Sequence, residues 1–134
     1  MATSKVTYVG DLRTSSIHIN SGSEIISDAP LDNNGKGEAF SPTDTVANAL
    51  ASCMFTVMGI KANEMNLDFS GSTAEVTKVM AAEPRRISEI HIVFHMNLET
   101  DEKTKTILER TAMTCPVHYS LHPDIKKEIV FYWK

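Results

Sequence analysis

The chain has 134 residues, enough for one domain with a real core and too few for two ordinary ones. It is 42% hydrophobic and 22% charged, a globular composition. Its formal charge is −4, and its basic residues cluster no further than Arg85-Arg86 and Lys126-Lys127, which argues against a nucleic-acid partner. The N-terminal stretch MATSKVTYVG has no apolar h-region, so no signal peptide is expected and a cytoplasmic location is. Two cysteines are too few for a disulfide scaffold. They are either plain core residues or redox-active.

The first forty residues alternate in short runs. Residues 3–9 put Val6 and Tyr8 on one face, and residues 12–19 put Ile17 and Ile19 on one face and His18 on the other. Gly10-Asp11 and Ser21-Gly22 are turn signals. With a third short run at 24–28, this predicts a three-strand meander. Residues 30–40 (PLDNNGKGEAF) form a loop rich in Asp, Asn and Gly. Such a loop before a helix can cradle an anion. The spacing matches no phosphate-loop or dinucleotide fingerprint, so a flexible turn is the plainer reading.

Residues 41–65 (SPTDTVANALASCMFTVMGIKANEM) are the longest apolar run. Ser41, Pro42 and Asp44 make a capping box with proline at the first helical position. Val46, Leu50, Cys53, Met54, Val57, Met58 and Lys61 then recur every three or four residues, which predicts a helix. Ala47, Ala49, Ala51, Phe55 and Ile60 leave it almost no polar face, so burial on several sides is expected, with Cys53 deep. Asp44, Asn48 and Lys61 suit a buried soluble helix better than a membrane span. A helix more apolar than one sheet can cover points to a second subunit.

After it, residues 67–79 read as a strand broken at Ser70-Gly71, and Pro84-Arg85-Arg86 turns the chain. Ile90, Ile92, Phe94, Met96 and Leu98 then share one face of a strand, while His91 and His95 face water, which predicts an antiparallel sheet covered on one side. Thr100 is placed to cap a helix over 101–114, with Ile107, Leu108, Thr111 and Ala112 as its apolar stripe. Pro116 opens a short helix to Leu121, and 125–133 is the last strand. The order predicts an α+β domain spanning 1–134, with a strand meander at 1–40 and the central helix, sheet and helices at 41–134.

The chemistry-bearing candidates are few. Cys115 precedes a proline-started helix, whose N-terminal partial charge lowers a thiol pKa. Cys53 sits mid-helix and needs a cation, for which Arg13 is the natural candidate. Buried inert thiols are the alternative for both. Cys115, His118 and His122 have a metal-like spacing, but no fourth ligand is evident. His91 and His95 lie about 13 Å apart along a strand, too far for one ion. Asp28, Asp32 and Glu38 read as loop carboxylates. His18 is either a wall of a site near Arg13 or plain surface.

Two motifs together resemble the OsmC/Ohr family of bacterial thiol peroxidases, over essentially the whole chain. One is Gly37-Glu38-Ala39-Phe40-Ser41-Pro42-Thr43-Asp44 followed by Ala49-Leu50-Ala51-Ser52-Cys53; the other is Cys115-Pro116-Val117 about sixty residues on. The resemblance implies an OsmC-like α+β fold, with antiparallel sheets wrapped around a long buried helix in an intertwined homodimer. It implies reduction of organic hydroperoxides, with hydrogen peroxide as a second substrate, in oxidative-stress defence. Cys53 becomes the peroxidatic nucleophile, Cys115 the resolver, and Arg13 the activating cation. Met54, Phe55, Met58 and His18 become the substrate pocket. No metal, flavin or haem is implied. An external dithiol, a lipoylated protein among the options, regenerates the thiols. Better-known members carry a glutamate where this chain has Thr43, which marks a Ser-Pro-Thr-Asp branch; Asp44 is the substitute the sequence offers. The alternative is a small-molecule-binding or stress-response dimer without efficient turnover.

Overall fold

The computed structural model describes residues 1–134. The chain forms two compact units, residues 1–46 and 47–134, with the division falling inside the long helix.

The first unit is the expected meander. Strands β1 (Ser4–Gly10), β2 (Arg13–His18) and β3 (Glu24–Asp28) pair antiparallel in the order β1-β2-β3. The β1–β2 turn places Asp11 and Leu12 at φ 53° and 63°, the left-handed pair that matches strand twist in a two-residue hairpin. No apolar side chain of residues 1–46 is buried; only Asp28 and Ser41 are. Val6, Tyr8 and Ile25 all stand exposed.

The 30–40 loop is not the loose turn its composition suggests. It holds a 3-10 turn at Leu31–Asn33 and folds back so that Gly35 N–H and Gly37 N–H donate to Pro30 and Ala29 carbonyls. A Cβ on Gly35 would sit 1.7 Å from the Ala29 carbonyl oxygen, so only glycine permits this closure. Beyond it, Ser41 and Asp44 cap helix α1 (Pro42–Glu64) reciprocally: Ser41 N–H donates to Asp44 Oδ2 and Asp44 N–H to Ser41 Oγ, both at 3.0 Å.

The second unit holds the rest of α1, strands β4 (Thr73–Ala81), β5 (Arg86–Met96) and β6 (Lys126–Trp133), and helices α2 (Glu102–Ala112) and α3 (Pro116–Ser120). Leu50, Met54 and Met58 of α1 are buried in one core with Ile90, Ile92 and Phe94 of β5 and Leu108 of α2. Phe94 anchors it: Phe55 of α1 meets its ring edge-on at 4.9 Å and Phe131 of β6 stacks at 4.8 Å. By length and mean hydropathy α1 also passes for a membrane span, a test that the core helix of a globular domain passes as well.

Asn48, Ser52, Thr56 and Ile60, every fourth residue of α1, are exposed within the single chain. Three expectations need correction. The strand expected from 67 begins only at Thr73. The residues before it are spent on turns, with Asn66 and Gly71 at positive φ and Asp68 accepting from Ser70 N–H. Asp101, not Thr100, caps α2, because its carboxylate accepts from Thr104 N–H at 2.8 Å. The β4–β5–β6 sheet is mixed: β4–β5 is antiparallel, but β6 runs parallel to β5. The crossover through α2 and α3 is long enough to return the chain to the start of β5.

Candidate functional site

The thiols lie in the second unit. Cys53 is on the fourth turn of α1, half-buried rather than deep, and packs against the core. Cys115 has no exposed surface. It is the N-cap of α3, where its Sγ accepts from His118 N–H at 3.2 Å and Pro116 supplies the fixed φ of the first helical position. Both cysteines are free thiols. Burial pushes the Cys115 thiol above its ordinary pKa, the His118 N–H pulls it back, and a hydrogen bond and charge interaction with Cys53 raise it further. The helix-start effect expected to lower the Cys115 pKa is outweighed, because a five-residue helix carries little dipole and the site is dry.

Arg13 lies in the first unit, and the sheet register explains its partner. It opens β2 directly opposite Asp28, the last residue of β3. Arg13 Nε donates to Asp28 Oδ1 at 2.7 Å and Nη2 to Oδ2 at 2.8 Å, a bidentate pair. Glu38 N–H donates to the same Oδ2 at 3.1 Å, and Asp28 N–H donates to the Phe40 carbonyl. The Glu38 carboxylate approaches Nη2 at only 3.4 Å and is largely exposed. The hydrogen bond from Arg13 holds the Asp28 carboxyl below the usual carboxylate range against its burial. The same pairing raises the Arg13 pKa, so the guanidinium is a permanent cation.

The other expected residues fall differently. The carboxylates on Arg13 belong to Asp28 and Glu38, while that of Asp44 serves the Ser41 cap. Met54 and Met58 are sealed in the core, because their positions on α1 face β5, and they offer no pocket surface. Phe55 does reach a cleft of about 270 Å³, shared with Gly59, Asn63, Asp68 and Phe69. His18 closes the far end of β2, about 16 Å along the strand from Arg13 and on the opposite face, and hydrogen-bonds Ser21 Oγ. It is no wall of an Arg13 site. The Cys115–His118–His122 spacing does not converge either: His122 Nδ1 accepts from Asp124 N–H, and His118 Nδ1 is buried without a partner. No three His, Cys, Asp or Glu side chains are grouped to hold a metal ion. Asp28 is the residue that sequence reasoning undervalued. Pairing 24–28 with 13–17 as a hairpin would have placed it across from Arg13.

A long helix carrying one thiol, a second thiol at a helix cap and two three-stranded sheets define the class of this α+β chain. The chain belongs to the OsmC-like family, whose model, described as OsmC-like protein, matches residues 35–130. A solved protein of Psychrobacter arcticus 273-4, described as an osmotic stress induced and detoxification response protein, is 62% identical; the match covers 98% of this chain and 96% of that one, with a TM-score of 0.96. The organic hydroperoxide resistance protein OsmC of Legionella pneumophila shares the fold at a TM-score of 0.74 and 13% identity, covering 98% and 97% of the two chains. An OsmC-like protein of Mycoplasma pneumoniae shares it at a TM-score of 0.80 and 17% identity, covering 97% and 94%. No curated protein matches the chain.

Proposed function

We propose that the protein is a thiol-dependent peroxidase that reduces organic hydroperoxides in oxidative-stress defence. The reading is supported by the pair of free thiols: Cys53, half-buried on the long helix, and Cys115, fully buried at the α3 cap, where interaction with Cys53 raises its pKa. The Cys53 thiolate attacks the outer peroxide oxygen, the O–O bond breaks, and the alkoxide leaves as the alcohol after taking a proton. Sulfur is oxidised to a sulfenic acid and the peroxide is reduced by two electrons. Cys115 sulfur then attacks the sulfenic sulfur, forming the disulfide. The Cys115 proton and the sulfenic hydroxyl leave as water. An external dithiol, such as a lipoylated protein, returns both thiols by exchange. Arg13 is the cation of this chemistry, a fixed positive charge for thiolate and departing alkoxide.

The working unit in this reading is a cytoplasmic homodimer. In support, residues 1–46 bury no apolar side chain of their own, and a three-strand sheet with Val6, Tyr8 and Ile25 exposed lacks the cover such a sheet needs. One feature favours a second reading, a dimer that binds a small apolar compound without turnover: Thr43 stands where better-known members have a glutamate.

Thiol titration after one equivalent of cumene hydroperoxide separates the two. Loss of both thiols within seconds, abolished by Cys53→Ser, is expected of the peroxidase. Two unreacted thiols after minutes would exclude it and leave the binding dimer.

A further inference from the structure

An arginine that serves a thiolate must be held in place, and the helix position that would hold it is threonine here. We propose that Asp28 is the positioning residue for Arg13, a role carried by a strand carboxylate rather than by one on α1. This rests on the peroxidase reading above.

The case is geometric. Register alone sets the two residues face to face at the β2–β3 end. Two parallel bonds, at 2.7 and 2.8 Å, fix the plane of the guanidinium as well as its place. The carboxylate is itself immobilised. It is 1% exposed, Oδ2 takes the Glu38 N–H, and the Asp28 backbone is tied to Phe40. That N–H is delivered by the loop whose closure requires Gly35. Glu38 cannot do the same work with its own side chain, at 3.4 Å and 65% exposed. Asp44 is engaged with the Ser41 N–H in the α1 cap. The grip uses Nε and Nη2 and leaves Nη1 outside it, with a third of the Arg13 side chain still open to solvent.

The test is a double-mutant cycle on the full-length protein, read as kcat/KM for cumene hydroperoxide with a dithiol reductant. Arg13→Met is expected to lose ~100-fold, as for removal of one preorganised charge. Asp28→Asn is expected to lose ~10- to 100-fold, mostly in kcat, as for a misplaced catalytic group. The double variant should be no slower than Arg13→Met alone, because Asp28 acts only through Arg13. A purely structural Asp28 would give additive losses. Asp28→Glu keeps the charge and the fold but displaces the guanidinium, and should lose ~10-fold. Additive losses, or wild-type kcat/KM in either folded Asp28 variant while Arg13→Met is impaired, would overturn the proposal and spare the peroxidase reading. A wild-type protein that consumes no hydroperoxide, or an unimpaired Arg13→Met, would instead overturn the role of Arg13, and Asp28's role would fall with it.

Discussion

Cys115 has two jobs that substitution can separate. It fills buried space with a sulfur, and that sulfur caps α3 by accepting the His118 N–H at 3.2 Å. Cys115→Ala removes both. Loss of a cap costs ~1 kcal/mol, and loss of one buried heavy atom a further ~1 kcal/mol. Cys115→Ser keeps an acceptor at the cap, a better one than sulfur, but buries a hydroxyl at a cost of ~1 kcal/mol. The expected order is wild type, then serine lower by about 1 kcal/mol, then alanine lower by about 2 kcal/mol. Urea unfolding under reducing conditions, at one protein concentration, reads these differences directly. Each kcal/mol corresponds to ~3 °C in Tm for a chain of this size. An alanine variant as stable as the serine variant would refute the reasoning: the Sγ···H–N contact would then contribute nothing, and the dryness of the position alone would set its preference.

The two thiols should also differ sharply toward an outside reagent. Cys115 is fully buried with its pKa pushed up, whereas Cys53 is partly open, so Ellman's reagent should take one thiol fast and the second only as slowly as the fold opens. Cys53→Ser should abolish the fast phase; a fast thiol surviving in that variant would contradict the assignment. The Asp28–Arg13 pair predicts an acid limb of stability. The folded Asp28 pKa lies below its unfolded value, so the unfolded chain takes up its proton first as pH falls. The contribution is complete above about pH 5 and fades through and below about pH 4. The Tm gap between wild type and Asp28→Asn should therefore hold constant from neutrality and narrow progressively once the pH falls below about 4; a gap that ignores pH would show that the pair's charge is not what stabilises it.

Much of the site was legible in one dimension because local rules made it so. The capping box Ser41-x-x-Asp44 fixed where α1 begins, the four-residue spacing of Leu50, Met54 and Met58 fixed its buried stripe, and strict alternation fixed which face of β5 meets it. The paired motifs around Cys53 and Cys115-Pro116 pointed to the family. What stayed hidden depended on neighbours far along the chain. Burial of Cys115 and exposure of Asn48, Ser52 and Thr56 follow from which elements cover them, not from their own spacing. The parallel β5–β6 pairing follows from the path of the crossover, and local patterning cannot distinguish strand direction. Asp28 looked like a solvated loop charge. It became a buried anion only because β2–β3 register set it opposite Arg13 and the glycine-closed loop brought Glu38 N–H onto it. Sequence thus determined the elements and the reactive residue types, since these rest on interactions within a few residues. Tertiary structure decided which thiol is shielded and which carboxylate holds the arginine, since desolvation and ion pairing are set by residues that meet only when the chain is folded.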